Sequence, residues 1–299
     1  MTRRLLKWGA AQCWRMTGRA ARNRRDLCGN QYGLRILTFH DTGPDVLPGF
    51  KRVVDWCRAR FPMASPEDVD ALFAGTFPAG QTDRVLITFD DGYASNYEAA
   101  RWLAEVGVRA IFFVVPSFLD RDTSAYRAFH AANGVEADIG CPGSRGLSSG
   151  QVAEMLSMGH RLAAHNFAHR DLGRLHDRPD LEYEIARALD AVSEITGRRC
   201  EDFAIAYGQP ENVSPEAAEF LIERCPRVYA CHRGLNLPGR SPRFLLRHDC
   251  RPDDPAVFTR VCLQGGGDHH LADRAEVMRQ RVGMLPPGRL AANGPSSAS

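Results

Sequence analysis

The sequence predicts an α/β barrel of parallel strands wrapped by helices, and three observations predict it. Short apolar runs recur along the 299 residues, several of them apolar throughout, as strands buried on both faces require. Amphipathic helical segments with short joins lie between them, the mark of repeated β-α units. Seven or so such strands over roughly 220 residues suit a closed barrel better than a small open sheet.

Each element has its own signal. Residues 34–39 (LRILTF) form a β-rich run ended by the turn chemistry of His40-Asp41-Thr42-Gly43-Pro44. Residues 50–61 and 66–73 have helical spacing, the second entered through a Ser65-Pro66 cap. A short buried-type strand follows at 85–89, then an amphipathic helix at 93–106 closed by Gly107, then a strand at 108–115 that is apolar apart from Arg109. Residues 120–146, rich in Gly, Asp and Ser, read as a long irregular loop of the kind that is functional or mobile in compact domains. Beyond it come a helix at 148–157, a strand at 161–164, a helix at 181–195 closed by Gly197, and a strand at 202–207. A helix at 214–224 with Pro215 in its first turn precedes strands at 227–231 and 243–248. The chain thus divides into a basic arm (1–32), a catalytic domain (33–283) and a low-complexity tail (284–299) that reads as disordered.

The formal charge of +2 hides an asymmetry. Eight basic residues, from Arg3 to Arg25, precede the first acid, Asp26, and the remainder is mildly acidic, which argues against a protein that coats nucleic acid. Residues 1–25 also carry Leu5, Leu6, Trp8 and Trp14, a pattern suited to peripheral contact with an anionic membrane surface. The apolar stretch there is broken by Lys7, Gln12 and Arg15, so no secretory signal is expected. Nine cysteines without a C-x-x-C spacing suggest neither a disulfide framework nor a zinc knuckle. The expected location is the cytoplasm, with membrane association through the arm.

Two motifs carry the chemistry. Thr88-Phe89-Asp90-Asp91-Gly92 sits where a buried strand ends and a helix begins, the end of a parallel sheet where active sites are built. Adjacent carboxylates repel, so a cation such as a metal must hold at least one ionised, although an Asp-Asp-Gly turn also serves as an ordinary helix cap. His165-Asn166-Phe167-Ala168-His169 follows another short strand and can grip one metal ion. Two imidazoles and a carboxylate suit a hydrolytic metal site, and equally a non-haem iron oxygenase. The spare carboxylate favours hydrolysis, which needs a general base. Tyr207-Gly208 ends a strand in a turn where a backbone N–H can meet an oxyanion, and His248 stands near the end of the last strand, where it can serve as a general acid. His40 ends the first strand and is a candidate substrate-binding residue. Asp41 and Asp249 are candidate partners of the histidines beside them. Cys141 and Cys231 show no activating neighbour, and Asp268-His269-His270 reads as an exposed loop.

Taken together, Thr-Phe-Asp-Asp-Gly, His-x-x-x-His and Ala-Tyr-Gly, with Leu37-Thr38-Phe39-His40 ahead of them, resemble the polysaccharide deacetylase (NodB homology) family, carbohydrate esterase family 4. The opening segment is similar to that of exopolysaccharide- and capsule-locus members. The resemblance covers about residues 34–250. It implies a distorted (β/α)7-type barrel and metal-dependent removal of N-acetyl groups from N-acetylhexosamine units of a poly- or lipid-linked saccharide. By position it implies Asp91, His165 and His169 as ligands of a divalent metal, most simply Zn²⁺, and Asp90 as the base. It further implies the Tyr207 N–H as oxyanion donor and His248 as the acid. Three departures stand out: Asn166 replaces the usual Ser or Thr, Ala204 replaces an arginine that holds the base in many members, and Ala206 replaces a proline. Two other readings remain open at this level, hydrolysis of a non-sugar amide on the same fold and a glycan-binding pseudoenzyme.

Overall fold

A computed structural model of the chain describes residues 3–137, 139, 143–239 and 244–283. Two helices, α1 (Arg3–Met16) and α2 (Arg19–Cys28), lead into β1 (Leu34–Phe39). There follow α3 (Leu47–Arg58), α4 (Pro66–Ala74), β2 (Arg84–Phe89), α5 (Asn96–Glu105), β3 (Ala110–Val114), α6 (Thr123–Ala132) and α7 (Ser149–Ser157). The second half runs β4 (Arg161–Ala164), α8 (Arg178–Leu181), α9 (Arg187–Thr196), β5 (Asp202–Ala204), α10 (Pro215–Arg224), β6 (Arg227–Ala230), β7 (Phe244–Asp249), α11 (Ala256–Leu263) and α12 (Ala272–Met278). The seven strands form a closed barrel in sequence order, all pairs parallel, with β7 returning to β1.

The expected seven-stranded barrel is therefore the observed fold, and strand alternation divides its core in two. Leu34, Ile36, Leu86, Ile111, Phe113, Ala163, Ala204, Tyr229 and Leu245 fill the interior, closed at the strand-start end by Val69 and Leu72 of α4. Leu37, Phe39, Val85, Ile87, Phe89, Phe112 and Val114 point outward against the helices. Because both faces of each strand are buried, the strands read as continuous apolar runs in the sequence.

Several expectations need correction. The 120–146 loop contains α6, whose Asp122 cap accepts a bond from the Ala125 N–H at 2.8 Å. The helix was hidden because its buried face of Thr123, Tyr126 and His130 carries no aliphatic stripe. The strand expected at 202–207 stops at Ala204, because Tyr207 adopts a left-handed φ of 62° that no strand accommodates. Asp268 is buried, not exposed, and its carboxylate accepts from Arg35 at 3.1 Å. The arm is docked on the barrel: Ala11 and Asn23 are buried, and Arg24 donates to Asp83 at 2.5 Å. No described helix is long and apolar enough to cross a membrane. Cys141 and the tail from 284 lie outside the described residues.

Candidate metal centre and active site

The strand-end segments singled out above meet at one mouth of the barrel, in an open cleft of about 660 Å³ lined by His40, Asp90, Asp91, His165, His169 and Tyr207, among others. The β2 end turns sharply there. Asp91 and Gly92 have φ of 74° and 81°, and a Cβ on Gly92 would meet Val114 at 3.0 Å, so glycine is required. The turn sends Asp91 toward the histidine segment that follows β4. His165 Nε2 and His169 Nε2 each lie 3.4 Å from Asp91 Oδ1. The three ligand atoms lie within 4.8 Å of one another, a grouping that can hold a metal ion.

Two details show that these residues fit a metal. Asp91 Oδ1 is buried with no hydrogen-bond partner, a costly state for a carboxylate oxygen unless a cation meets it. His165 Nδ1 lies 2.9 Å from the Ala204 carbonyl oxygen, which can only accept. The ring proton therefore sits on Nδ1, and Nε2 presents its lone pair to the cleft. Burial opposes charge on Asp91; with no metal bound, protons on the facing imidazole nitrogens outweigh it and hold the carboxyl well below its usual range, and a bound cation would take the place of those protons.

The histidine loop is built rigidly. Glu184, buried in the π-turn Glu182–Ala186 between α8 and α9, accepts from the N–H groups of Ala168 at 3.1 Å and Arg170 at 3.3 Å. Tyr126 on α6 donates to the Ala168 carbonyl at 2.6 Å, and Ser117 donates to that of Phe167. Asn166, at φ 51°, donates to Arg170 O at 2.7 Å and accepts from the Ala206 N–H at 3.4 Å. It thus ties this loop to the Tyr207 turn, so the departure from Ser or Thr has a structural use. The Tyr207 ring stands edge-on to His169 at 5.0 Å.

Asp90 does not join the triad. Arg247, fully buried on β7, grips it with two bonds of 2.6 and 2.9 Å, and its guanidinium lies 4.9 Å over the Phe113 ring. Burial pushes the Asp90 carboxyl up, but Arg247 and, more weakly, His165 and His40 outweigh it and hold it below the usual range. Sequence reasoning missed Arg247, although it fills the place left open by Ala204. Its only sequence signal is an arginine that directly follows the apolar run Phe244-Leu245-Leu246 of a buried strand.

His248 is the correction at this site. It is in register with Leu37, whose side chain packs in the outer layer, whereas Arg247 is in register with interior Ile36. His248 therefore faces away from the cleft, and burial, followed by the charges of Arg233, Arg35 and Lys7, pushes its imidazole well below the usual range. The histidine in the cleft is His40, half-exposed, with Nδ1 3.8 Å from Asp249 Oδ1. Asp249 thus partners His40, while Asp41 accepts from Ser95 at 2.6 Å. Cys231 also lines the cleft, and burial pushes its thiol up to about 12, which leaves it inert. His269 and His270 pack on Trp14, away from the triad.

Comparisons with known proteins bear on the fold. No curated protein matches the chain. Among solved structures it is similar to IcaB from Ammonifex degensii (21% identity, 79% of this chain and 97% of that one, TM-score 0.57). It is also similar to the deacetylase PplD from Streptococcus pyogenes (16%, 86% and 100%, 0.57) and the BpsB deacetylase domain from Bordetella bronchiseptica (19%, 72% and 95%, 0.56). At these identities the likeness establishes the fold. A model described as polysaccharide deacetylase matches residues 78–221, a little under half of the chain, and this stretch, which is similar to that family, holds both aspartates, both triad histidines and the Tyr207 turn.

Proposed function

We propose that the protein removes N-acetyl groups from N-acetylhexosamine units of a poly- or oligosaccharide, releasing acetate, with Asp91, His165 and His169 holding a divalent metal, most simply Zn²⁺. The observation that carries this reading is the unpartnered Asp91 carboxylate oxygen facing two imidazole nitrogens beside a second, arginine-held carboxylate. When bound, the metal would supply a Lewis acid that polarises the acetamide carbonyl and lowers the pKa of a coordinated water. Asp90, kept ionised and oriented by Arg247, takes the proton from the attacking water. The Tyr207 N–H is the assigned donor to the oxyanion. His40, oriented by Asp249, gives a proton to the departing amine, which leaves poorly without one. This replaces the assignment of His248. A cytoplasmic location accompanies the reading, supported by nine scattered cysteines that show no C-x-x-C spacing.

Acetate release from N-acetylglucosamine oligomers by the zinc-loaded protein is the direct test. Asp91→Ala should lose both bound zinc and turnover. Asp90→Asn should keep zinc yet lose roughly 10²–10⁴-fold in rate, the usual contribution of general base catalysis. Full activity of Asp90→Asn would remove the base assignment, and failure to turn over any acetylated saccharide would remove the substrate class.

A further inference from the structure

Helix α1 docks on the barrel by one face, through a small apolar cluster of Ala11 and Trp14 with Phe258, Val261 and Cys262, and leaves a second apolar face uncovered. Lys7, Ala11 and Trp14, spaced at i, i+4 and i+7, face inward. Lys7 pairs with Asp254 and lies over the Phe258 ring at 4.9 Å, Ala11 is fully buried, and Trp14 packs on Phe258 at 5.9 Å. That arrangement turns the remaining large apolar side chains outward: Leu5 is 55%, Leu6 57%, Trp8 51% and Met16 86% exposed. Four of the nine large hydrophobic side chains exposed among the described residues lie in this one helix. Folding alone does not explain such a face, because an apolar stripe normally points to the core. Around it stand exposed Arg3, Arg4 and Arg15, followed by Arg22 on α2, with no acid before Asp26.

We infer that α1 is a docking element for an anionic lipid bilayer, lying in the interface with Leu5, Leu6, Trp8 and Met16 among the acyl chains and the arginines at the headgroups. The charge identifies the occupant. Apolar side chains ringed by cations match a surface that is apolar beneath and negative above. Fourteen residues make a helix of about 21 Å, enough to lie flat and too short to span. Position adds a consequence. Pro252 and Asp253 line the catalytic cleft and, together with Arg4, also line the neighbouring groove, so the start of α1 borders the rim of the active site. Docking therefore sets the mouth of the barrel beside the bilayer, where a saccharide carried on a lipid would be presented. This last point rests on the deacetylase reading, whereas the docking itself does not.

The test is sedimentation of the full chain with vesicles of phosphatidylcholine alone or mixed with phosphatidylglycerol, without substrate. Binding is expected only to the mixed vesicles and should weaken as salt rises. Leu5→Ser/Leu6→Ser/Trp8→Ser should abolish it with the circular dichroism unchanged. Arg3→Glu/Arg4→Glu/Arg15→Glu should weaken it by roughly a hundredfold or more, taking about fivefold per cation. Equal binding to both vesicle types, or none, overturns the proposal. So does a dimer in analytical ultracentrifugation that the triple serine variant dissociates, because a second copy would then be the occupant. Acetate release from soluble oligomers is a separate measurement, so failure of one reading is distinguishable from failure of the other.

Discussion

Arg247 and Asp90 make the sharpest prediction at the scale of single residues. Both are buried, and each neutralises a charge the other could not carry alone. Arg247→Met should cost about 3–5 kcal/mol in urea unfolding, because it leaves a buried carboxylate without its cation. Asp90→Asn/Arg247→Met should recover more than half of that loss. Additive losses in the double variant would show that the pair is not energetically coupled. This residue pair also marks where the sequence stopped being legible. Asp90, Asp91, His165 and His169 could be read because each lies in a local motif at a strand end. Arg247 could not, since its role depends on β7 closing against β1, more than 200 residues away in the chain. His248 was misread for a related reason. Side chains alternate along a strand, so a shift of one position exchanges the cleft for the outer layer.

At the scale of elements, the strands were legible from their apolar runs, whereas α6 was not, because its buried face of Thr123, Tyr126 and His130 carries no aliphatic stripe. Yet α6 braces the histidine loop, through Tyr126 and His130. His130 lies 2.8 Å from Ser117 Oγ, and Ser117 in turn holds the histidine loop. Burial, followed by the charges of Arg121, Arg187 and Arg170, lowers the His130 pKa from 6.5 to about 4. Between those values the unfolded chain binds a proton that the folded protein does not. Stability from this group is thus complete above pH 6.5 and is lost as the pH falls toward 4. His130→Gln should flatten the fall in melting temperature over that window, and an unchanged slope would remove His130 as its source. Tyr126→Phe should cost roughly 1 kcal/mol in stability through the lost bond to Ala168 and should weaken zinc binding, because that bond anchors the loop carrying His169.

The whole molecule divides its physics between the two ends of the barrel. At the strand-start end, Asp202 accepts from Arg227 at 2.7 Å, Arg161 at 3.2 Å and Tyr229 at 2.6 Å, and Asp70 joins the same arginines. Asp202→Ala should lower the unfolding free energy by about 1–3 kcal/mol, since Arg227, Arg161 and Tyr229 lose a buried acceptor while Asp70 still pairs with both arginines, and affinity for added zinc by calorimetry should stay unchanged. A parallel fall in affinity would show that the ends are coupled. The opposite end holds four of the six described non-glycine residues with positive φ: Asp91, Asn166, His169 and Tyr207. Such conformations cost on the order of 1–3 kcal/mol each and persist only where their surroundings enforce them. Evolution of this scaffold therefore has two separate registers to draw on. Drift toward heat tolerance can accumulate at the ionic floor without touching turnover, whereas relaxation of the catalytic rim would gain robustness at the expense of aim.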